Sequence, residues 1–406
     1  MKMLFITPQI PYPPQKGTTT RNFKIIENLA RHHAVHLLSF GTEKDAGGIK
    51  VLGELCQSVQ VAQMPRRNVS VRIRDLIVDP VPDLAVRLAS SEFVAKLRET
   101  LQSNRFDILQ IEGLEMAWHW ELASRGWNAK DAVRSVVLDE HNAEYVLQRR
   151  AFEIDRLKPA KWVGAAYSLV QWQKLARFEA ATCQKMNAVV TVSEEDRMAL
   201  RAITRLPATA IVPNGVDVEY FRPTEVPEEN KAPALVFCGT MDFRPNVDAV
   251  IWLCEEILPL IGREVGDVKL YVVGRDPKSS VERLTRYSNV IVTGFVEDVR
   301  PYVHRASVYV VPMRFGGGVR FKVVEAMAMG IPVVSTPMGA EGIEVNHGEH
   351  LLIAEDPASF ARQVTVLLND KQQAQRLARN ARALVERKYD WRKIVPKLEE
   401  LYREVV

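Results

Sequence analysis

The sequence predicts an α/β protein made of two doubly wound parallel-sheet domains. Three observations carry this. At 406 residues the chain is too long for one ordinary core. It opens strand–loop–helix–strand, with a strand at residues 3–7, a proline and glycine loop, an amphipathic helix at 21–31 and a second strand at 35–40. The pattern restarts at Leu235. It is sharpest at residues 307–337, SVYVVPMRFGGGVRFKVVEAMAMGIPVVSTP, which read as strand, glycine loop, helix, strand.

That stretch also carries chemistry. Residues 307–311 are a β-branched run closed by Pro312, and Gly316, Gly317 and Gly318 allow backbone angles that side chains forbid. Residues 321–329 hold helix formers at most positions, Gly330 supplies the stop, and 331–335 form a second buried-strand run. A glycine loop that opens a helix presents unpaired N–H groups at the positive end of the helix dipole. Arg320 and Lys322 add two cations there, which weakens the first turn unless an anion sits against it. Local conflict of this kind points to a site. Glu325 offers a carboxylate to two vicinal hydroxyls. Together these groups suit a diphosphate and a ribose. The alternative is a solvated Arg/Lys pair and a helix-surface glutamate.

Composition is that of a globular protein, 47% apolar and 26% charged. No apolar run approaches the roughly 18 residues that a spanning helix needs. The opening MKMLFITPQI reads as a strand and turn rather than a signal peptide, so a cytoplasmic location is expected. Cys56, Cys183, Cys238 and Cys254 are scattered without a C-x-x-C, as reduced core cysteines would be. Residues 1–215 hold 29 Lys and Arg against 23 Asp and Glu, and residues 216–406 hold 25 against 27. The basic first half is read either as a surface for peripheral contact with the inner face of a membrane or as ordinary solvated surface. No basic and aromatic interleaving argues for nucleic acid.

In chain order, the first strand runs into PQIPYPPQKG, a rigid loop ending at Gly17, and Thr18, Thr19 and Thr20 offer helix caps. In a doubly wound sheet ligands lie beyond the carboxyl ends of the strands, where this loop sits. Gly17 is therefore read either as an approach point for a phosphate or sugar or as a structural turn. Residues 59–64 read as a strand. Arg66, Arg67, Arg72 and Arg74 then surround apolar residues, either a basic crossover or a membrane- or acceptor-facing surface. FDILQIE at 106–112 is a core strand. The strand at 135–138 delivers Asp139, Glu140, His141, Asn142 and Glu144 at its end, the favoured place for function, which singles out His141. Long helices follow at 144–186. Residues 189–192 form a strand, and Ser193 caps the next helix.

Residues 210–213 end in the turn Asn214-Gly215, and the proline- and charge-rich 216–234 read as a linker. Further strands fall at 235–239, 268–274, 290–293 and 307–311, with a helix at 247–260. Gly294, Phe295 and Val296 close one strand, either as backbone that reads the edge of a base or as a plain turn. A last amphipathic helix starts at 389–391. The domains are therefore expected at 1–215 and 216–388, with 389–406 as a separate helix.

With Asn214-Gly215-Val216-Asp217, Phe221-Arg222-Pro223 and Glu325-Ala326-Met327-Ala328-x-Gly330-x-Pro332-Val333-Val334, the chain resembles the retaining glycosyltransferases of the GT-B fold, family 4. The resemblance covers the whole length and is more specific in the second half. It implies two Rossmann-like domains facing a cleft, the first binding an acceptor and the second a nucleotide sugar. It also implies a last helix that returns to the first domain. It assigns Glu325 to the ribose hydroxyls, Gly294, Phe295 and Val296 to the base, Gly17 to the donor phosphates and His141 to the transferred sugar. Such enzymes usually act without a bound metal, and no Asp-x-Asp occurs in this sequence. Two departures stand out. Gly317 occupies the place of a glutamate eight positions before Glu325. The loop 239–246 also lacks the basic pair usual after the first strand of the second domain, a pair that Arg320 and Lys322 replace.

The expected activity is transfer of a sugar from a nucleoside-diphosphate sugar to an acceptor hydroxyl with retention, the acceptor being a glycan, a lipid-linked glycan or a small molecule. Arg320, Lys322 and the loop amides of Gly316, Gly317 and Gly318 stabilise the departing diphosphate, and His141 positions the sugar. The alternatives are a non-catalytic sugar-nucleotide binder, or an epimerase or phosphorylase on the same fold. A dehydrogenase is weaker, because no G-x-G-x-x-G follows residues 3–7 or 235–238.

Overall fold

The computed structural model describes residues 1–15, 17–65, 80–126, 131–224, 233–316 and 321–406. Gly317, Gly318, Arg320 and the arginines at 66–74 lie outside that set. The chain divides into two compact units, Met1–Pro213 with Ile394–Val406, and Asn214–Lys393.

The first unit runs β1 (Lys2–Thr7), α1 (Gly17–Leu29), β2 (Ala34–Gly41), α2 (Ala46–Leu55), β3 (Ser58–Gln63), α3 (Ser91–Ser103), β4 (Phe106–Glu112), α4 (Leu114–Ser124), β5 (Val133–Glu140), α5 (Glu144–Asp155), α6 (Trp162–Lys185), β6 (Ala188–Thr191), α7 (Glu194–Ile203) and β7 (Ala208–Ile211). Its described strands form one parallel sheet in the order β3-β2-β1-β4-β5-β6-β7. Helices cover both faces, so the central strands are continuous apolar runs rather than alternating ones. Leu4, Ile6, Leu38, Phe40, Leu109 and Ile111 pack with Phe93, Leu97 and Leu101 of α3 and Met116 of α4. The strand order reverses between β1 and β4. The carboxyl ends of those strands are the place where this topology receives a ligand.

The second unit repeats the plan with β8 (Ala234–Cys238), α8 (Arg244–Trp252), β9 (Lys269–Val273), β10 (Val290–Gly294), β11 (Val308–Val311), α9 (Phe321–Ala328), β12 (Val333–Ser335), β13 (Leu352–Ile353), α10 (Pro357–Asn369) and α11 (Lys371–Lys388). Its described strands run parallel in the order β10-β9-β8-β11-β12-β13, so the reversal falls between β8 and β11. A final helix, α12 (Trp391–Val405), belongs from Ile394 onward to the first unit. Ile394, Val395, Leu398, Leu401 and Tyr402 are buried at helical spacing. The Tyr402 hydroxyl donates to Gln110 Oε1 at 3.0 Å, and His33 Nε2 lies 2.9 Å from Glu399 Oε1.

Three sequence expectations are corrected. Thr18, Thr19 and Thr20 lie inside α1, which starts at Gly17, so they do not cap it. The helix expected at 247–260 is interrupted by a wide turn at Leu253–Ile257 and resumes at Leu258. Pro259 explains the step, since it lacks the N–H that a continuous helix requires. Residues 216–224 are not a loose linker. Val216 and Val218 are buried and Val216 bridges to Asp390. Arg382 donates to the carbonyls of Val218 and Phe221 at 3.1 and 2.9 Å. The change of unit falls at Pro213/Asn214. Among the described residues no helix is long and apolar enough to cross a membrane, and the four cysteines are free and buried.

Candidate functional site

In the first unit a charged network stands at the carboxyl ends of β4 and β5. Parallel pairing sets Glu112 directly beside Asp139, and both are fully buried. Two adjacent carboxylates in a dry interior need compensation. Arg21 of α1 supplies it for Asp139, donating from Nε and Nη2 to the two carboxylate oxygens at 2.9 Å each. Arg21 Nη1 also donates to the carbonyl of Val212 at 2.8 Å. His141 supplies it for Glu112, with Nε2 at 3.0 Å from Oε2. With its side-chain amide turned to the orientation that satisfies both ends, Asn22 donates to the same oxygen at 2.9 Å. Among the described residues Glu112 Oε1 has no partner.

Electrostatics follow from this packing. Burial and the neighbouring Asp139 raise the Glu112 carboxyl above its ordinary range, offset in part by His141 and Arg21. For His141, burial works against the charged ring, but the bond to Glu112 and the field of Asp139 outweigh it and raise its pKa. Glu112, Asp139 and His141 place donor atoms within 4.8 Å of one another, a spacing a metal could use. Arg21 already takes both Asp139 oxygens, so the set is a charge-balanced network of two carboxylates, a guanidinium and an imidazole. Gly17 is the first, exposed residue of α1, the helix that also carries Arg21 and Asn22.

A second acidic group lies behind it. Glu179 of α6 accepts the N–H groups of Glu144 and Tyr145 at 2.8 and 3.0 Å, closing the start of α5. Burial pushes Glu179 up to about 8 and Glu144 up to about 7. Glu140 is 1% exposed, its Oε1 has no partner among the described residues, and burial followed by Glu179 and Glu144 raises it well above the carboxylate range.

In the second unit the sheet's ligand end is closely packed backbone. Gly274 has φ +152°, and a Cβ there would lie 1.7 Å from the carbonyl oxygen of Gly239. Only glycine fits. A Cβ on Gly239 would in turn meet Asn246 Nδ2 at 2.7 Å and Lys322 Nζ at 2.9 Å. Lys322 thus reaches from the start of α9 to the loop after β8, donates to Asn246 Oδ1 at 2.9 Å and stands 4.5 Å above the Phe237 ring. Asn246 Nδ2 is spent on the carbonyl of Thr240. Glu325, one turn further along α9, is half-buried, and burial pushes it up to about 7 against the pull of Lys322. Gly316 has φ +122°. Gly294, with φ +69°, is the last residue of β10. Phe295 after it is 63% exposed and Val296 half-buried.

The structure therefore gathers Lys322 and Glu325 with the loop after β8. It sets Gly294, Phe295 and Val296 at the same end of that sheet, and joins His141 to α1 through Glu112 and Asn22. Sequence reasoning missed Glu112, Arg21 and Asn246. Arg21 had a signal, because it shares the i, i+4, i+8 face of Ile25 and Leu29, all buried.

The description Glycosyltransferase Family 4 matches residues 16–220, and Glycosyl transferases group 1 matches residues 232–370. An uncharacterized 44.6 kDa protein in the cps region of Klebsiella pneumoniae is 29% identical over 39% of this chain and 43% of that protein. The phosphatidyl-myo-inositol mannosyltransferase of Mycobacterium leprae is 29% identical over 48% of this chain and 53% of that protein. The chain spans about half the length of the curated relatives it matches. Anabaena HepE in complex with UDP shares 16% identity and a TM-score of 0.70 over 100% of both chains. That likeness shows the fold, two Rossmann-like domains of the GT-B class. Since the first of the two family matches alone spans half of its residues, the chain belongs to glycosyltransferase family 4.

Proposed function

We propose that this chain is a retaining, metal-independent hexosyltransferase that moves a sugar from a nucleoside-diphosphate donor to an acceptor hydroxyl on a glycan, a glycolipid or a small molecule. One observation carries the reading: Lys322 is held against Gly239 at the switch point of the second sheet, one helical turn before Glu325. A cation at the opening of a helix, beside a carboxylate within the same helix, suits a diphosphate linked to a ribose.

In this reading the second unit binds the donor. Lys322 and Arg320, with the amides of Gly316, Gly317 and Gly318, neutralise the departing diphosphate, an effect for which losing one donor typically costs about 100-fold or more in rate. Glu325 accepts from the ribose hydroxyls, and Gly294, Phe295 and Val296 border the base. Gly17 approaches the phosphates, and His141, held by Glu112, orients the transferred sugar. The first unit receives the acceptor, and peripheral membrane contact fits a lipid-linked one. Support comes from family membership and from HepE, whose solved complexes contain UDP or UDP-glucose.

The test is a metal-free thermal-shift panel of nucleoside diphosphates and NAD, followed by donor turnover. A ligand at 100 times its Kd should stabilise by about 2.7 kcal/mol. A shift with one nucleoside diphosphate that is lost in Glu325→Ala, and donor cleavage that needs an acceptor, are expected. Binding without cleavage would leave a sugar-nucleotide binder. Turnover that needs no acceptor, or needs free phosphate, would leave an epimerase or a phosphorylase. A shift with NAD alone would overturn the reading.

A further inference from the structure

The turn that joins α5 to α6 presents apolar side chains to solvent. Val163 and Leu157 are 88% and 75% exposed, more than any other large apolar residue among those described, and Trp162 is 62% exposed. The pattern continues along α6. Ala165, Ser168 and Gln171 are buried, while Val163, Ala166 and Val170, on the outward side of the same turns, are exposed. An outward helix face is normally polar, so an apolar one calls for a partner. Residues 156–163 also carry Arg156, Lys158 and Lys161, of which Lys161 lies 3.7 Å from Asp155 while Arg156 and Lys158 are exposed. Trp162 Nε1 donates to the carbonyl of Arg156 at 3.1 Å, which fixes the indole at the tip.

We propose that the α5–α6 tip docks on an anionic lipid bilayer, with Leu157, Trp162 and Val163 entering the headgroup region and Arg156 and Lys158 meeting lipid phosphates. The charge pattern selects this occupant. Cations bordering a short apolar tip complement a negative surface and repel a second copy of the same tip. Tryptophan favours the bilayer interface, where an apolar ring with a polar N–H meets both phases. A short apolar tip inserts into a soft interface without needing a matching groove. The inference names a surface for the peripheral membrane contact of the proposed function, but docking itself needs no turnover.

Site-specific labelling tests it. The native cysteines are buried, so an environment-sensitive fluorophore on Val163→Cys reports the tip alone. Its emission should shift to the blue with vesicles of phosphatidylcholine mixed with phosphatidylglycerol, and not with phosphatidylcholine alone. A shallow doxyl-lipid quencher should reach it, and salt should weaken the response. Sedimentation with the mixed vesicles should fall about tenfold or more both in the triple variant Leu157→Gln, Trp162→Gln, Val163→Gln and in the double variant Arg156→Gln, Lys158→Gln. Both should keep the wild-type Tm, since the altered side chains face solvent. Emission unchanged by the mixed vesicles, or a triple variant that sediments like wild type, overturns the proposal. A concentration-dependent dimer that the triple variant abolishes, without vesicle binding, would make the occupant a second copy. Vesicle binding that persists without donor cleavage keeps this inference and removes only the transferase reading.

Discussion

Glu112 holds His141 by its Nε2, 3.0 Å from Oε2, and stands in strand register beside Asp139, which Arg21 neutralises. The carboxylate therefore sets both the orientation and the charge of the ring. Glu112→Gln keeps the shape and removes the charge. The His141 imidazole, followed by NMR, should then titrate at lower pH, and turnover should fall by about tenfold or more. An unchanged His141 titration would show that the contact has no electrostatic role.

Lys322→Ala should weaken binding of a nucleoside diphosphate by about 10- to 100-fold, the scale of a charge-assisted hydrogen bond. Calorimetry on the folded variant measures it. Affinity within about threefold of wild type, the scale of an exposed ion pair, would remove Lys322 from the site.

With Glu325 pushed up to about 7, a ligand whose hydroxyls donate to it binds the ionised form. Nucleotide affinity should therefore rise as pH rises through 7 and level off above it. Glu325→Gln should bind more weakly and lose that rise. The same slope in wild type and variant would assign the titration elsewhere.

The two packed glycines differ in what stands against them. Gly274→Ala sets a methyl against backbone at 1.7 Å with φ +152°, and should destabilise by about 3 kcal/mol or more. Gly239→Ala meets side-chain ends, which move. It should cost about 1 kcal/mol yet weaken nucleotide binding as Lys322→Ala does. Urea denaturation and calorimetry separate the two, and equal destabilisation would refute the packing argument.

Glu140, Glu179 and Glu144 all have raised folded-state values, about 8 for Glu179 and about 7 for Glu144. Through these three carboxyls the folded chain holds more protons than the unfolded one between about pH 4.5 and 8, and the stability they contribute falls as pH rises across that window. Tm should be lower at pH 8 than at pH 5.5, and Glu140→Gln should show a shallower fall. A Tm that climbs toward pH 8 would contradict the burial of these carboxyls.

What was legible in the sequence was local. The apolar runs that became β1, β4, β5, β8 and β11 are continuous because helices cover both faces of each sheet. The stop at Gly330 needs only its own φ of +70°. The pairings that build the site are not local. Arg21 meets Asp139 across 118 positions and Lys322 meets Asn246 across 76. Glu112 became a partner of His141 only through the register of β4 on β5, and no motif encodes register. Residues 216–224 misled for the opposite reason. Proline and charge read as a linker, yet Arg382 and Asp390, far along the chain, hold its first residues.

The placement of α12 has a consequence for synthesis. Residues 1–213 leave the ribosome first, but the strip that receives Leu398, Leu401 and Tyr402 stays uncovered until residues 214–393 have been made. Through translation of the whole second unit the nascent first sheet therefore lacks the helix that gives Gln110 and His33 their partners Tyr402 and Glu399, an incomplete fold of the kind chaperones hold. Cutting the chain at 213 cannot release a finished domain. A peptide of residues 394–406 supplied in trans is what would complete it.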